Sequence, residues 1–398
     1  MQFKEVIGQQ EVKLHLREMV SDNRLSHALL FLAREGAGGL PLAISFAQYI
    51  MCEKVQQAFQ PPAPSLFGEE SLAVEFPSDS CGECPSCVKA SQLVHPDIHF
   101  SYPVFTKKSG SKALSTDFIV EWREFVRQYV YGNVFDWLQS VEAENKQGNI
   151  SADECNEISR KLSIKSFESG YKILILWMPE YLGKEGNKLL KIIEEPPANT
   201  LFLFVAENEE QILQTILSRT QLIRIPLLST ETIQEALETR CALPPNQARQ
   251  VATIAEGNYR EALQQVNHAS EDWMDLFRDW MSVSLRKNYA GQLKWVEEIA
   301  KLGREKQKQF LKYCNHLLGQ SIRAGILPEE TGQYTEKERD FINRLNSVAG
   351  IPEQEALISE LDNAAYYIER NANPKMLFHA LTIKLYHIIN DKSLILVN

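Results

Sequence analysis

Two continuous apolar stretches constrain the fold of this chain more than any other feature of its sequence. Lys172–Trp177 reads KILILW and Leu201–Ala206 reads LFLFVA. Such uninterrupted runs are expected for strands of a parallel sheet that is covered on both faces. His27–Leu32 predicts a similar buried strand, and Gln221–Ile225 predicts a further short one. Because helical patterns alternate with these strands, the sequence predicts an α/β layer domain.

The pattern changes after Pro226. Residues 227–268 are typical of a small helical domain, and residues 269–398 contain only helical periodicities, broken by prolines. The chain has 398 residues, of which 44% are hydrophobic, and this is more than a single core usually serves. We therefore predict three domains, at residues 1–226, 227–268 and 269–398.

The net charge of −10 argues against a free-standing DNA-binding protein, which usually has a basic surplus. Any contact with DNA should therefore be local, or shared with more basic partners. The first residues lack the apolar core of a signal peptide, and the apolar stretches are shorter than the roughly 20 residues of a membrane span. We therefore expect a cytoplasmic protein that makes no membrane contact.

The turn after the first predicted strand has the glycine spacing of a phosphate-binding loop but not its chemistry. Such a loop needs a lysine for the β- and γ-phosphates and a Ser or Thr hydroxyl for Mg²⁺. Gly36 and Gly38 remain, but Gly39 stands at the lysine position and Leu40 at the hydroxyl position. Ala33 replaces the first glycine. A simple glycine turn, unrelated to phosphate, is the alternative interpretation of this pattern.

A second loss lies about 140 residues further along the chain. The strand that ends at Trp177 should be followed by acidic residues that hold Mg²⁺, because this cation prefers oxygen ligands. It is followed instead by Met178, and Glu180 comes too late to substitute safely. The two losses together predict that this chain binds no ATP of its own and does not hydrolyse it.

Three cysteines at regular short spacing predict a metal site. Cys81, Cys84 and Cys87 form a C-x2-C-x2-C pattern, and Cys52 lies upstream at the end of a predicted helix. Four thiolates satisfy the tetrahedral preference of a structural Zn²⁺, which leaves no open position for catalysis. Buried or free cysteines are the alternative interpretation. Cys52 is the preferred fourth ligand, and His95 is its rival.

One arginine lies between a predicted short helix and a strand. Arg219 follows Ser218 there, so we expect it at the rim of the domain. An arginine at a rim can reach a γ-phosphate bound by a neighbouring subunit, as an arginine finger does. Taken alone, a structural salt bridge is the simpler interpretation. Helical patterns are also predicted at 118–141 and 182–194, and the amphipathic part at 187–195, which two prolines end, is interpreted as a packing helix.

Several short segments, each weak alone, together resemble the delta-prime subunits of bacterial DNA polymerase III clamp loaders, which are AAA+ proteins. They cover residues 1–265 well, whereas the C-terminal third matches chiefly in one segment. The segments are Phe3–Gln9, Arg24–Leu30, the Cys81, Cys84 and Cys87 cluster, His95–Asp97, Asn187–Lys191 with Glu194–Pro197, Ile216–Arg219, Gly257–Leu263 and Asn371–Lys375.

The resemblance implies an AAA+ module at residues 1–226, a helical lid at 227–268 and an all-helical collar at 269–398 that joins five subunits in a ring. In such a ring gamma/tau-like motor subunits bind ATP, whereas delta-prime is a stator that does not. With a delta-like subunit, the ring opens a sliding clamp and places it on primer–template DNA. Arg219, beside Ser218, would then act in trans as an arginine finger for a neighbour's ATP site.

Some positions depart from the family's pattern. The family's Ser-Arg-Cys motif is Ser-Arg-Thr here, at Ser218–Thr220. The replacement of Cys by Thr should be tolerable, because the arginine does the chemistry. Arg260 matches a nucleotide-sensing position of active relatives, and without a phosphate-binding loop we expect a lid salt bridge there. The chain carries extra length at 55–80 and 104–116, and the first of these stretches lengthens the predicted zinc-binding insertion at about 52–97.

Two other functions stay open at this level. One is an active AAA+ motor subunit whose phosphate-binding loop has diverged, and nucleotide binding by the isolated chain would reveal it. The other is a zinc-dependent adaptor for nucleic acid or protein, in which the cysteine module itself binds the partner.

Overall fold

The computed structural model describes residues 1–58, 76–106, 112–143, 146–168, 170–267, 273–326, 336–370 and 372–392. The chain divides into two compact units, Met1–Gln265 and Val266–Asn398. Several features named above lie outside the described residues. They are the central parts of the predicted insertions at 55–80 and 104–116, the predicted domain boundary at 268, and Asn371.

The first unit is built on a parallel five-stranded sheet with the order β2-β3-β4-β1-β5. Its strands are β1 Ala28–Ala33, β2 Ile98–Ser101, β3 Lys172–Trp177, β4 Thr200–Ala206 and β5 Gln221–Ile225. Where β1 pairs with β4, Leu30 of β1 lies opposite Phe204 of β4. The predicted α/β class with a parallel sheet is confirmed.

Helices cover this sheet on both faces. The α-helices of this part of the chain are α1 Gln10–Ser21, α2 Gly39–Met51, α3 Glu53–Ala58, α4 Pro85–Ser91, α5 Ile119–Tyr129, α6 Val134–Ser140, α7 Ala152–Ser163, α8 Leu190–Glu194, α9 Gln214–Leu217, α10 Thr230–Cys241, α11 Pro245–Ile254 and α12 Tyr259–Asn267, of which the last three form a separate helical segment.

The apolar strands explain why both faces must be covered. Along β3, Ile173 and Ile175 belong to one hydrophobic cluster, whereas Leu174 and Leu176 belong to another. All four side chains are at most 1% exposed. Because successive side chains of a strand point to opposite faces, each face needs its own layer of helices. Burying each of these side chains contributes about 1.5–3 kcal/mol to folding.

The structure differs from the sequence-based prediction in three elements. β2 was not predicted, since it is only four residues long and carries the polar His99 and Ser101. The stretch predicted as one helix at 182–194 is a 3-10 helix, Pro179–Leu189, interrupted at Gly183, followed by α8. The helical stretch at 118–141 divides into α5 and α6 around a turn that contains Gly132.

The predicted small helical domain corresponds to α10, α11 and α12, which belong almost entirely to the first compact unit. A backbone hydrogen bond of 3.3 Å from Tyr259 N to the carbonyl oxygen of Gly36 joins this segment to the glycine loop. The segment α10–α12 is called the lid below.

The described residues of the second unit fold into helices, as predicted. These are α13 Trp273–Leu285, α14 Tyr289–Lys301, α15 Arg304–Ile326, α16 Glu336–Val348, α17 Ile351–Glu369 and α18 Pro374–Asn390. Its core contains a stacked pair, Trp280 on Trp295, with ring centroids 4.8 Å apart. Over the described parts of both units, no helix is both long and apolar enough to cross a membrane.

Candidate functional site

The glycine loop connects β1 to α2 at the carboxyl edge of the sheet. Gly36 and Gly38 have φ values of +70° and +97°, a region that glycine enters without steric cost. Gly39 is the first residue of α2, and a Cβ atom there would lie 2.8 Å from the Cβ of Ala33. The strand, turn and helix of a phosphate-binding loop are therefore present, but the lysine position has no room for a side chain.

Other parts of the first unit cover this loop. A Cβ atom on Gly36 would lie 1.9 Å from Oδ1 of Asn258 in the lid, and one on Gly38 would lie 3.1 Å from the ring of Tyr131. The cavity that remains between the loop, Tyr131 and the end of β3 has a volume of about 20 Å³. Ligand pockets usually measure roughly 300 Å³ or more, so this cavity is too small for a nucleotide.

A buried ion cluster joins the lid to the loop. Arg260, which is 5% exposed, donates to Asp136 through Nε (2.5 Å) and Nη2 (2.7 Å). Its Nη1 lies 3.0 Å from Oε1 of Glu35, the residue before Gly36. Asn133 and Asn258 also donate to the Glu35 carboxylate, at 2.9 and 3.1 Å. Arg260 thus has two carboxylate partners, and the salt bridge expected at this position is present.

The end of β3 lies in an aromatic core. Trp177 is 3% exposed, and its ring centroid lies 5.2 Å from that of Trp122 and 5.9 Å from that of Phe125. Met178 is also buried, in a left-handed backbone conformation with φ of 60°. Apolar packing therefore occupies the position where acidic residues would hold Mg²⁺.

The nearest carboxylates at this edge have other contacts. Glu180 accepts hydrogen bonds from the backbone N–H groups of Glu207 (2.6 Å) and Asn208 (2.9 Å), so it caps the chain after β4. Burial raises the pKa of Glu180 against the effect of these bonds. Burial, followed by the charges of Glu35 and Glu180, raises the pKa of Glu207 to about 8.

The four predicted zinc ligands form one cluster. The sulfur atoms of Cys52, Cys81, Cys84 and Cys87 all lie within 4.8 Å of one another, and those of Cys81 and Cys87 are 3.8 Å apart. Zn–S bonds of about 2.3 Å at tetrahedral angles place the sulfur atoms about 3.8 Å apart. The cluster therefore has the size of a four-sulfur zinc site.

Backbone N–H groups donate to three of these sulfur atoms. Cys81 N donates to Cys52 Sγ at 3.3 Å, Cys84 N to Cys81 Sγ at 3.3 Å, and Cys87 N to Cys84 Sγ at 3.4 Å. The hydrogen bond between Cys52 and Cys87 lowers the pKa of Cys52 to about 4 and raises that of Cys87, whereas the backbone N–H of Cys81 adds to the lowering at Cys52. Such donors favour the thiolate, which is the form that binds metal.

His95, the rival fourth ligand, is not part of the cluster. Its Nε2 hydrogen-bonds Ser86 Oγ at 2.8 Å, and its Nδ1 accepts from the N–H of Asp97 at 3.1 Å. Both ring nitrogens therefore have partners in the protein. Cys52, at the carboxyl end of α2, completes the donor set instead.

Arg219 lies after α9 and is 34% exposed. Its Nε donates to Oε1 of Glu194 at 2.6 Å, and Nη2 pairs with the same oxygen. Its Nη1 donates to the carbonyl oxygen of Thr215 (2.8 Å) and to Ser218 Oγ (3.2 Å). The sequence did not indicate Glu194 as a partner of Arg219, because the helix that ends there was interpreted as a packing helix.

Comparison with known proteins identifies the family. The family model described as "DNA polymerase III, delta subunit" matches residues 8–229. A DNA polymerase III subunit delta' from Bacillus subtilis is 23% identical over 251 residues, which cover 63% of this chain and 56% of that protein. A DNA polymerase III subunit tau from Escherichia coli is 24% identical over 273 residues, or 67% of this chain and 33% of that protein.

The chain thus spans about half the length of the Bacillus relative and a third of the Escherichia one. Among solved structures, a DNA polymerase III gamma-subunit-related protein from Thermotoga maritima aligns over 94% of this chain and 98% of its own, with 13% identity and a TM-score of 0.38. A likeness this low supports no further inference. Because the family model matches more than half of its residues, the chain belongs to the DNA polymerase III delta-subunit family as a delta-prime-like clamp-loader subunit.

Proposed function

We propose that this chain is a non-hydrolysing, stator-type subunit of a DNA polymerase III clamp loader. The observation that carries the proposal is the closed glycine loop, where the cavity measures about 20 Å³ and Arg260 binds Glu35 and Asp136 instead of a phosphate. A subunit built in this way contributes to the assembly without an ATP site of its own. Its partners would be gamma/tau-like motor subunits, a delta-like subunit, the sliding clamp and primer–template DNA.

Under this proposal the first 226 residues form the AAA+ module, residues 227–268 the lid and residues 269–398 the collar that joins neighbouring subunits. The chain would act in the cytoplasm. Cys52, Cys81, Cys84 and Cys87 would hold a structural Zn²⁺, which supplies a cross-link of the fold and no catalytic step. The N-terminal segment packs beside the cysteine cluster, since Asp79 accepts hydrogen bonds from the N–H groups of Phe3 and Lys4 at 2.9 and 3.0 Å. This packing supports a structural role for the metal.

Arg219 would complete the ATP site of a neighbouring subunit, with Ser218 beside it. A partly exposed guanidinium can donate to phosphate oxygens of a neighbouring subunit, which is how an arginine finger stabilises the charge of phosphoryl transfer.

The test is reconstitution of the complete clamp loader with the motor subunit of the same organism. Arg219→Ala is expected to slow hydrolysis at the one ATP site that it serves by a factor on the order of 10³, because an arginine finger stabilises the transition state, and so to lower the clamp- and DNA-stimulated ATPase of the complex. Arg224→Ala is the matched control, since Arg224 is also exposed and pairs with Glu209. An unchanged rate with Arg219→Ala would overturn the trans role of this residue.

A second measurement separates the stator from a divergent motor subunit. Titration of the isolated chain with ATP and Mg²⁺ is expected to give no binding at micromolar concentration. Micromolar, Mg²⁺-dependent affinity would favour the motor alternative instead.

A further inference from the structure

Two segments that are separate in the sequence meet at Arg219. One is the end of α8, where Glu194 is the last helical residue. The other is α9 with the residue after it, which contributes Thr215 and Ser218. A hydrogen bond of 3.4 Å from Thr215 Oγ1 to Oδ1 of Asn187, in the 3-10 helix that precedes α8, adds a second link to α9. The packing helix and the Ser-Arg motif therefore form one local structure.

The contacts of the guanidinium are distributed in a specific way. Glu194 Oε1 binds the edge formed by Nε and Nη2, while Thr215 O and Ser218 Oγ bind Nη1. A guanidinium has five N–H groups, and these four contacts leave one N–H of Nη2 for another acceptor. Contacts within the chain thus bind Nε, Nη1 and one N–H of Nη2. The other N–H of Nη2 can donate to a phosphate oxygen.

This arrangement does little for stability. The side chains of Arg219 and Glu194 are 34% and 47% exposed, and ion pairs at such exposure contribute little to folding. What the contacts restrict is the conformational freedom of a long side chain. An arginine that is already oriented loses less of that freedom when it binds a phosphate.

We propose that Glu194 is a positioning residue that holds Arg219 in the orientation required for trans contact with the neighbour's triphosphate. This inference rests on the proposed function, because it requires that Arg219 act on a neighbouring ATP site. In this role Glu194 acts through Arg219 and not on the nucleotide directly. The backbone at Glu194 is held by α8 on one side and leads into Glu195 and two prolines on the other.

The experiment compares clamp loaders reconstituted with full-length Glu194→Ala, Glu194→Gln, Arg219→Ala and Glu194→Ala/Arg219→Ala chains. Glu195→Ala is the matched control, because Glu195 is an exposed neighbouring carboxylate. Glu194→Ala is expected to lower kcat of the stimulated ATPase on the order of tenfold, since a misplaced catalytic group loses rate steeply. The ATP affinity of the complex should not change, and Glu194→Gln, which keeps an acceptor oxygen, should fall between Ala and the unmodified chain.

The double variant tests whether Glu194 acts through Arg219. It should be as slow as Arg219→Ala alone, because removing the carboxylate changes nothing once the arginine is gone. Additive losses would overturn the inference, and so would an unchanged or faster rate with Glu194→Ala. If Arg219→Ala itself has no effect, the trans-finger proposal fails; if only Glu194→Ala has none, the positioning role alone fails.

Discussion

Arg260 of the lid and Asp136 of α6 form a two-bond ion pair, 2.5 Å from Nε to Oδ2 and 2.7 Å from Nη2 to Oδ1. The two residues are 124 positions apart in the sequence, and their side chains are 5% and 15% exposed. With Glu35 as a second carboxylate partner, the pair links the lid to the glycine loop.

Removing Arg260 is therefore expected to destabilise the protein. Arg260→Ala leaves Asp136 and Glu35 without their cation, and breaking a buried pair in this way costs about 3–5 kcal/mol. Thermal unfolding should show a clear decrease in Tm. Arg224→Ala, which removes an exposed pair with Glu209, should change Tm little. Equal effects of the two substitutions would contradict this account of the lid contact.

Restoring the two lost loop residues should not restore nucleotide binding. A Cβ atom at position 39 would lie 2.8 Å from the Cβ of Ala33, so Gly39→Lys overpacks the loop. Overpacking of this kind typically costs about 1–3 kcal/mol. The Gly39→Lys/Leu40→Thr chain is expected to unfold at a lower temperature and to show no heat of binding in calorimetric titration with ATP and Mg²⁺. Leu40→Thr alone is the control for the loss of the buried leucine, and ATP binding by the double variant would refute the prediction.

The pH dependence of stability should reflect Glu207. Its pKa in the folded state, about 8, lies above the ordinary value of 4.5, so the folded chain holds this proton more tightly than the unfolded chain does. The associated stabilisation is fully present below pH 4.5 and is lost as pH rises towards 8 and through it. Glu207→Gln stays neutral, so its Tm advantage over the unmodified chain should grow between pH 5 and pH 9. The exposed Glu210→Gln is the control, and a difference that does not vary with pH would contradict the assignment.

Metal removal should destabilise the first unit. The purified chain is expected to contain one zinc ion per molecule by elemental analysis, and a strong chelator should lower its Tm, because the binding free energy of a structural site adds to the free energy of folding. Cys84→Ser should lose the metal and give the same low Tm with or without chelator. Cys241→Ser, at a half-buried cysteine outside the cluster, should retain both metal and Tm. A metal-free chain of unchanged stability would refute the structural role.

The sequence predicted those elements whose signal is local. β3 and β5 begin and end at the predicted residues. For β3 the signal is a continuous apolar run, which needs only neighbouring positions to be recognised. β2 was missed because His99 and Ser101 interrupt its apolar pattern, although Ser101 is fully buried. The kink at Gly183 was also missed, since the amphipathic pattern continues across it.

The sequence by itself determined the parallel α/β class, the loss of the lysine and hydroxyl in the glycine loop, and the presence of three closely spaced cysteines. Each of these depends on residue type at short spacing. Only the tertiary structure decided that Cys52 and not His95 joins the cysteines, that Arg260 binds Glu35 and Asp136, and that Arg219 pairs with Glu194. The physical reason is that such contacts depend on how distant segments are brought together by the sheet order and the packing of its helices, and no local pattern encodes that geometry.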